Sequence, residues 1–321
     1  MSAADHAPPP PLKRRSRLDL LDLARGLALL AMFVFHFAYD LSHFGLIETN
    51  VPAHPGWSLF ARLIAGSFLT IVGVSLVLAT RNGLNRRAFL KRLAMVAAAA
   101  ALVTVGTFLA MPDSFIFFGI LHHVALASVL ALPFLRWPTP VVVLAAAVSF
   151  ALPHLIAAEW LDTPWLLWLG LSRYPVVTAD YVPVFPWFGC VLAGIVLGRL
   201  LLPHLEKLSL WRARTFPANL VAWGGRHSLL VYLVHQPVFI AGLIVAMSLG
   251  LGGDREARAF LTTCETSCRQ GPDPQSCARL CVCAMAGLKR EDLWSRTLAN
   301  TLSPRETDRA REIGQSCARA P

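Results

Sequence analysis

The stretch RGLALLAMFVFHFAYDL, Arg25 to Leu41, is made of the side chains a lipid-facing helix uses. Yet it opens on Arg25, carries His36 deep inside and reaches Asp40 one turn later. Ionisable groups inside an apolar helix cost several kcal/mol unless they are paired, hydrated or used. At 100° per residue, Arg25 and His36 fall about 20° apart around the helix and about 16 Å apart along it, so they share a face. Asp40, one turn past His36, is placed to reach the imidazole and fix its tautomer. Asp22, one turn before Arg25, is placed to pair with it. A polar stripe this long is poor packing material but suits the wall of a site for an elongated substrate. Singly, each residue has a plainer reading. Arg25 would snorkel to lipid headgroups, His36 would bond to another helix, and Asp40 would begin a loop.

The rest of the chain supports a membrane setting. Of its 321 residues, 55% are hydrophobic and 15% charged, with a mean hydropathy of +0.55. Soluble domains carry about 25% charged residues. So apolar a chain has too little polar surface to cover a globule, and the fold class expected is an all-α polytopic membrane bundle. A spanning helix needs about 20 mostly apolar residues. Seven stretches qualify: 19–38, 57–80, 93–111, 115–135, 138–157, 184–202 and 228–250.

The net charge of +10 is then read by position. Lys13, Arg14, Arg15 and Arg17 close a Pro-rich leader, 1–17, that has no cleavage-site pattern and reads as disordered. Arg81, Arg86, Arg87, Lys91 and Arg92 fill the joint after the second stretch. Arg136 follows the fourth, and Lys207, Arg212 and Arg214 follow the sixth. The alternate joints hold only Arg173. Basic residues collect on the cytoplasmic side, which puts the N-terminus inside and, with an odd number of spans, the C-terminus outside. The segment near 208–223 mixes Trp, Leu and Arg and is expected to lie along the inner interface as an amphipathic helix. The basic residues flank apolar runs and form no single stripe with interleaved aromatics, so no nucleic-acid partner is expected. Membrane lipid is the expected surrounding. Oligomeric state is left open.

The composition changes after Gly250, which separates a core of 18–250 from a tail of 251–321. The tail holds Cys264, Cys268, Cys277, Cys281, Cys283 and Cys317. Cysteines at i and i+4 share a helical face. Two such pairs about the turn RQGPDP suggest a helical hairpin stapled by disulfides, and the even count suits an oxidising compartment outside the membrane. The three-residue gaps and the lack of nearby His argue against zinc, so no metal is expected. Spacing does not fix connectivity; the nested choice is Cys264–Cys281 with Cys268–Cys277.

Other spans carry candidates for the same cavity: Arg62 in the second, His122 and His123 in the fourth, of which at most one joins it because adjacent positions point 100° apart, and Tyr232 and His235 in the last. Arg226 sits at the inner start of the last span. Arg62 could pair with Asp40. Ser228, Tyr232 and His235 share one face by their i, i+4, i+7 spacing. The plainer reading is a set of interhelical hydrogen bonds. Asp162, Arg173, Tyr174 and Asp180, between the fifth and sixth spans, read as solvated surface or a lid. Cys190 reads as a small apolar packer.

The first span resembles the signature of transmembrane acyltransferases, D-x-x-R-G-x-A-x-x-x-M-x-x-x-H, met here by Asp22, Arg25, Gly26, Ala28, Met32 and His36. With ARLIAGSFLTIVGVSLVLA, FFGILHHVALASVLALPFLR, FPWFGCVLAGIVLGRLL and GRHSLLVYLVHQP, residues 17–250 resemble bacterial members of the heparan-α-glucosaminide N-acetyltransferase catalytic-domain family. The resemblance implies a multi-span acyltransferase of a bacterial inner membrane. It would use cytoplasmic acetyl-CoA as co-substrate and modify an extracytoplasmic glycan or small-molecule acceptor at an amine or hydroxyl. It places the acyl-transfer function on Arg25 and His36, with Asp22 and Asp40 beside them. Lysosomal members have Asn where His36 aligns and an important His further toward the lumen, a part for His43 or His54 here. The tail has no counterpart there.

The catalytic set expected is thus His36, as base or as transient carrier of the acetyl group, with Asp40 and His43. The cofactor-binding set is Arg25, paired with Asp22, and Arg226, where Arg25 with Arg226 or the basic Arg86–Arg92 joint meets the CoA phosphates. Two rivals stand beside it. A transporter or flippase would use the same stripe to pass a proton or polar solute. A membrane-anchored partner protein would act through its Cys-rich tail.

Overall fold

The computed structural model describes residues 18–47, 49–156, 158–249, 255–269 and 277–319. The leader 1–17 and the turn after Arg269 lie outside them. Every regular element among the described residues is a helix. The core elements are α1 (Asp19–His43), α2 (Pro55–Thr80), α3 (Arg86–Ala110), α4 (Ile120–Leu130), α5 (Thr139–Leu155), α6 (Val184–Leu201), α7 (Leu205–Leu210), α8 (Phe216–Arg226) and α9 (Ser228–Ser248). The chain divides into two compact units. One holds the described residues up to Asp40 and from Thr49 to Phe239; the other holds those from Leu41 to Ile47 and from Ile240 onward.

All seven expected apolar stretches form helices, and five reach spanning length: α1, α2, α3, the run Val184–Leu210 and α9. The expected span over 115–135 is a correction. Its helix α4 has 11 residues, about 16 Å against a hydrocarbon core of about 30 Å. Prolines explain the shortening: Pro112 and Pro133 each open a tight 3₁₀ turn on either side. The chain entering α4 stays extended and pairs with a later segment, Ala179 N donating to Ser114 O at 2.9 Å and Val182 N to Phe118 O at 3.1 Å. Non-helical backbone at such a place must find partners within the protein. The amphipathic helix expected near 208–223 also differs. Residues 211–214 are non-helical and separate α7 from α8, which starts afresh with Pro217 in its first turn.

The core of the first unit is built on α2 and α6. Leu69, Val72, Leu76 and Val77 meet Phe188, Val191, Leu192 and Ile195, with Ala127 of α4 and Val142 and Ala146 of α5. Glycine permits the approach: a Cβ on Gly73 would lie 2.1 Å from the Val191 carbonyl oxygen, and one on Gly194 2.1 Å from that of Thr70. Small residues let membrane helices close to backbone contact. α8 docks on α1 in the same way, with Gly26 against the Val221 carbonyl and Gly225 against that of Asp22. Outward from this core, Leu90, Met95, Leu102, Val105 and Leu109 of α3 are exposed. So much apolar side chain at the surface marks a lipid contact.

The second unit contains α10 (Arg255–Cys268), α11 (Cys277–Arg290), α12 (Trp294–Leu298) and α13 (Pro304–Arg319). The nested pairing holds: Cys264–Cys281 and Cys268–Cys277 join α10 to α11, and Cys283–Cys317 joins α11 to α13. Leu288, Leu293 and Ile313 form a small core with Phe260 and Trp294. A capping box opens α13, Ser303 N donating to Glu306 Oε2 at 2.8 Å and Glu306 N to Ser303 Oγ at 3.4 Å. So small a core is the kind that relies on disulfides for stability.

Candidate active site

The stripe on α1 has two ends, each completed by other helices. At the first, Arg25 Nη1 donates to Asp22 Oδ1 at 3.0 Å, as the i, i+3 spacing predicts. Its Nη2 donates to Ser75 Oγ of α2 at 2.5 Å. Ser75 Oγ itself donates to the Ile71 carbonyl at 2.6 Å, so its lone pairs are turned to the guanidinium. Arg25 is therefore clamped inside the bundle, with its side chain 21% exposed, and is not a free snorkelling anchor. Arg92 of α3 lies within Coulombic range of it. Arg92 also lines a cavity of about 160 Å³ with Leu76, Thr80, Asn85, Leu93 and Ser128. Arg226 is exposed at the end of α8, next to the Gly225 that touches Asp22, and so belongs to this end.

At the other end, the His36 and His235 rings lie 4.9 Å apart between centroids, inclined by 63°. His235 stacks on Phe33 at 5.6 Å and meets Phe239 edge-on. Its Nδ1 is 2.5 Å from the Tyr232 carbonyl oxygen. A carbonyl only accepts, so that bond puts the proton on Nδ1 and leaves the lone pair of the neutral ring on Nε2. His235 Nε2 is buried with no hydrogen-bond partner, and so is Gln236 Oε1. Gln236 Nε2 donates to Asp40 Oδ1 at 2.6 Å. The acidic neighbour expected to orient His36 is thus tied to α9 through Gln236, and an imidazole of the same helix lies beside His36.

The other predicted residues separate by role. His122 Nδ1 accepts from Gly119 N at 3.2 Å, which leaves Nε2–H to donate to Thr104 Oγ1 at 3.0 Å. His123 sets its Nδ1 against the carbonyls of Val182 and Pro183 at 3.2 and 3.1 Å, deep in the core. Both tie the entry of α4 in place. Tyr232 packs on Leu29, Met32 and Ile64 and lies within Coulombic range of Asp180. Arg62 is exposed on α2, and His43 is exposed in the last turn of α1. His54 caps α2, its Nδ1 accepting from Gly56 N at 3.2 Å. Asp162 and Arg173 form a loop ion pair at 2.7 Å.

Two residues escape the sequence reading. Ser75 sits in an apolar run where a hydroxyl ordinarily only bonds back to its own helix. Asp180, expected on a solvated loop, instead ties that loop to α4, its Oδ2 accepting from Ile120 N at 2.9 Å. Burial pushes this carboxyl up to about 6, against the lowering effect of that bond. Its one advance signal is an acid just ahead of an apolar span.

Long apolar helices around a half-buried Arg and a pair of imidazoles, His235 buried and His36 half-buried, define the class: a membrane-integral helical protein with an internal polar site. The chain belongs to the family described as heparan-alpha-glucosaminide N-acetyltransferase, catalytic, which matches residues 17–237. That match takes in both ends of the stripe and implies transferase activity. No curated protein and no solved structure matches the chain.

Proposed function

We propose that the protein transfers an acetyl group from cytoplasmic acetyl-CoA to an amine or hydroxyl of an extracytoplasmic sugar. The observation that carries this reading is the stripe itself: one helix holds a clamped arginine at one end and an imidazole facing a second imidazole at the other. Arg25 spends two N–H bonds on Asp22 and Ser75 and keeps others for phosphate oxygens. Arg92 and Arg226 add positive charge at that end, where the CoA phosphates would bind. The separation of about 16 Å along α1 suits an extended pantetheine arm. His36 then takes the proton from the acceptor, which is a poor nucleophile until it loses it.

The test is acetyl transfer by the full chain in detergent, with labelled acetyl-CoA and glucosamine, reading both CoA release and acetylated product. His36→Ala is expected to lower kcat by about 10²-fold or more. Full turnover in that variant overturns the assignment of the base. No CoA release by the wild type overturns acetyl transfer.

A further inference from the structure

We propose that His235 is the partner imidazole of His36: its Nε2 accepts the hydrogen bond of the imidazolium that His36 becomes during transfer. The proposal rests on the acetyl-transfer reading and names the residue that supports its base.

Three observations converge. The Tyr232 carbonyl fixes the tautomer of His235, leaving a lone pair on Nε2. That nitrogen is buried and unpartnered, an arrangement that costs about 1–3 kcal/mol unless a donor arrives. The imidazole beside this ring, at 4.9 Å between centroids, is that of His36, and the stack on Phe33 and the edge of Phe239 hold the His235 ring in place. A base that must carry a proton briefly needs a neighbour that accepts a hydrogen bond from its second N–H, because the imidazolium has two donors. Asp40, one turn from His36, accepts from Gln236 through Oδ1, and His235 brings a second acceptor beside the His36 ring. His123 Nε2 is likewise buried and unpartnered, but its neighbours are the apolar side chains of the core and the carbonyls of Val182 and Pro183. No second imidazole faces it among the described residues.

In the step itself the acceptor N–H or O–H gives its proton to a His36 ring nitrogen as the new N–C or O–C bond forms. The thioester C–S bond breaks and the CoA thiolate leaves. His36 returns that proton to the thiolate, so acetyl-CoA and acceptor become CoA and acetylated product. His235 neither gains nor loses a proton overall. It is a positioning residue that holds the His36 ring by one N–H and lowers the energy of the charged form.

Two substitutions separate this role from a structural one. His235→Gln carries an amide oxygen near the position of Nε2 and so restores the acceptor. His235→Asn carries an N–H near the position of Nδ1, keeps the bond to the Tyr232 carbonyl and has no acceptor toward His36. With acetyl-CoA and glucosamine, His235→Asn is expected to lose about 10²-fold in kcat while His235→Gln stays within about tenfold. The KM for acetyl-CoA should hold within about twofold in both, since the interaction acts in the transition state. A structural role predicts the reverse order, with Asn the better replacement and the higher melting temperature. Equal activity of the two variants, or Asn exceeding Gln, overturns the proposal. A wild type that releases no CoA overturns the acetyl-transfer reading itself, a result distinct from either.

Discussion

Asp180 carries a charge its surroundings do not welcome. Its carboxyl accepts from Ile120 N, but burial raises it from 3.8 to about 6. A folded-state value above the unfolded one means the native protein holds the proton more tightly. The stabilising effect is therefore fully present below about pH 3.8 and is lost as pH rises through about 6. Asp180→Asn keeps an oxygen for Ile120 N and removes the charge. It is expected to raise the melting temperature at pH 8, by up to about 3 kcal/mol in stability, and to do little at pH 4. Melting curves of both forms across that range check it, and an equal shift at both pH values contradicts it. Residues of this kind mark where sequence reading stops. The Asp22–Arg25 pair was legible because helix geometry alone places the two groups. The partner of Asp40 was not, because Gln236 lies 196 residues away and only the packing of α9 on α1 brings it there. His235 was legible as a polar residue on one helix face, but not as the neighbour of His36.

Among the elements, α2 and α6 show what a pair of glycines does in lipid. Apolar side chains gain little by leaving one apolar medium for another, so close packing has to hold the helices together. Gly73→Ala would set a methyl 2.1 Å from the Val191 carbonyl oxygen and 2.8 Å from Gly194 Cα, both backbone. Neither can step aside, and a loss of about 1–3 kcal/mol is expected. Gly106→Ala on α3 meets nothing within 4 Å and should gain up to about 1 kcal/mol from helix propensity. Thermal unfolding in one detergent compares the two, and a tolerated Gly73→Ala would show that the helices can separate at little cost. The long spans were legible because continuous apolar runs have few other readings. The shortness of α4 was not. Its flanks are nearly as apolar as its centre, and what takes them out of the helix is a proline on each side together with the pairing of the first flank with Ala179 and Val182.

Across the whole molecule, parity links the core to the tail. Five helices have spanning length, and α4 and α5 are shorter. Those two are consecutive, and the number of crossings is odd where both cross or neither does. An odd number places the two ends of the core on opposite sides of the membrane. We propose the orientation that the basic joints favour, with the N-terminal end in the cytoplasm and the tail outside. Three disulfides in the tail point the same way, because such bonds persist in oxidising compartments. The family match ends at residue 237, just before the second unit takes over at Ile240, so the tail lies beyond the matched residues and its sidedness can be measured separately. A membrane-impermeant maleimide, applied with reductant to intact cells making the full chain, is expected to label Cys264, Cys268 and Cys283, as read by mass spectrometry. Cys190 of α6, the free cysteine among the described residues, should react only after solubilisation. Tail labelling that appears only after lysis would reverse the orientation and turn the Arg25 end away from the cytoplasmic supply of acetyl-CoA.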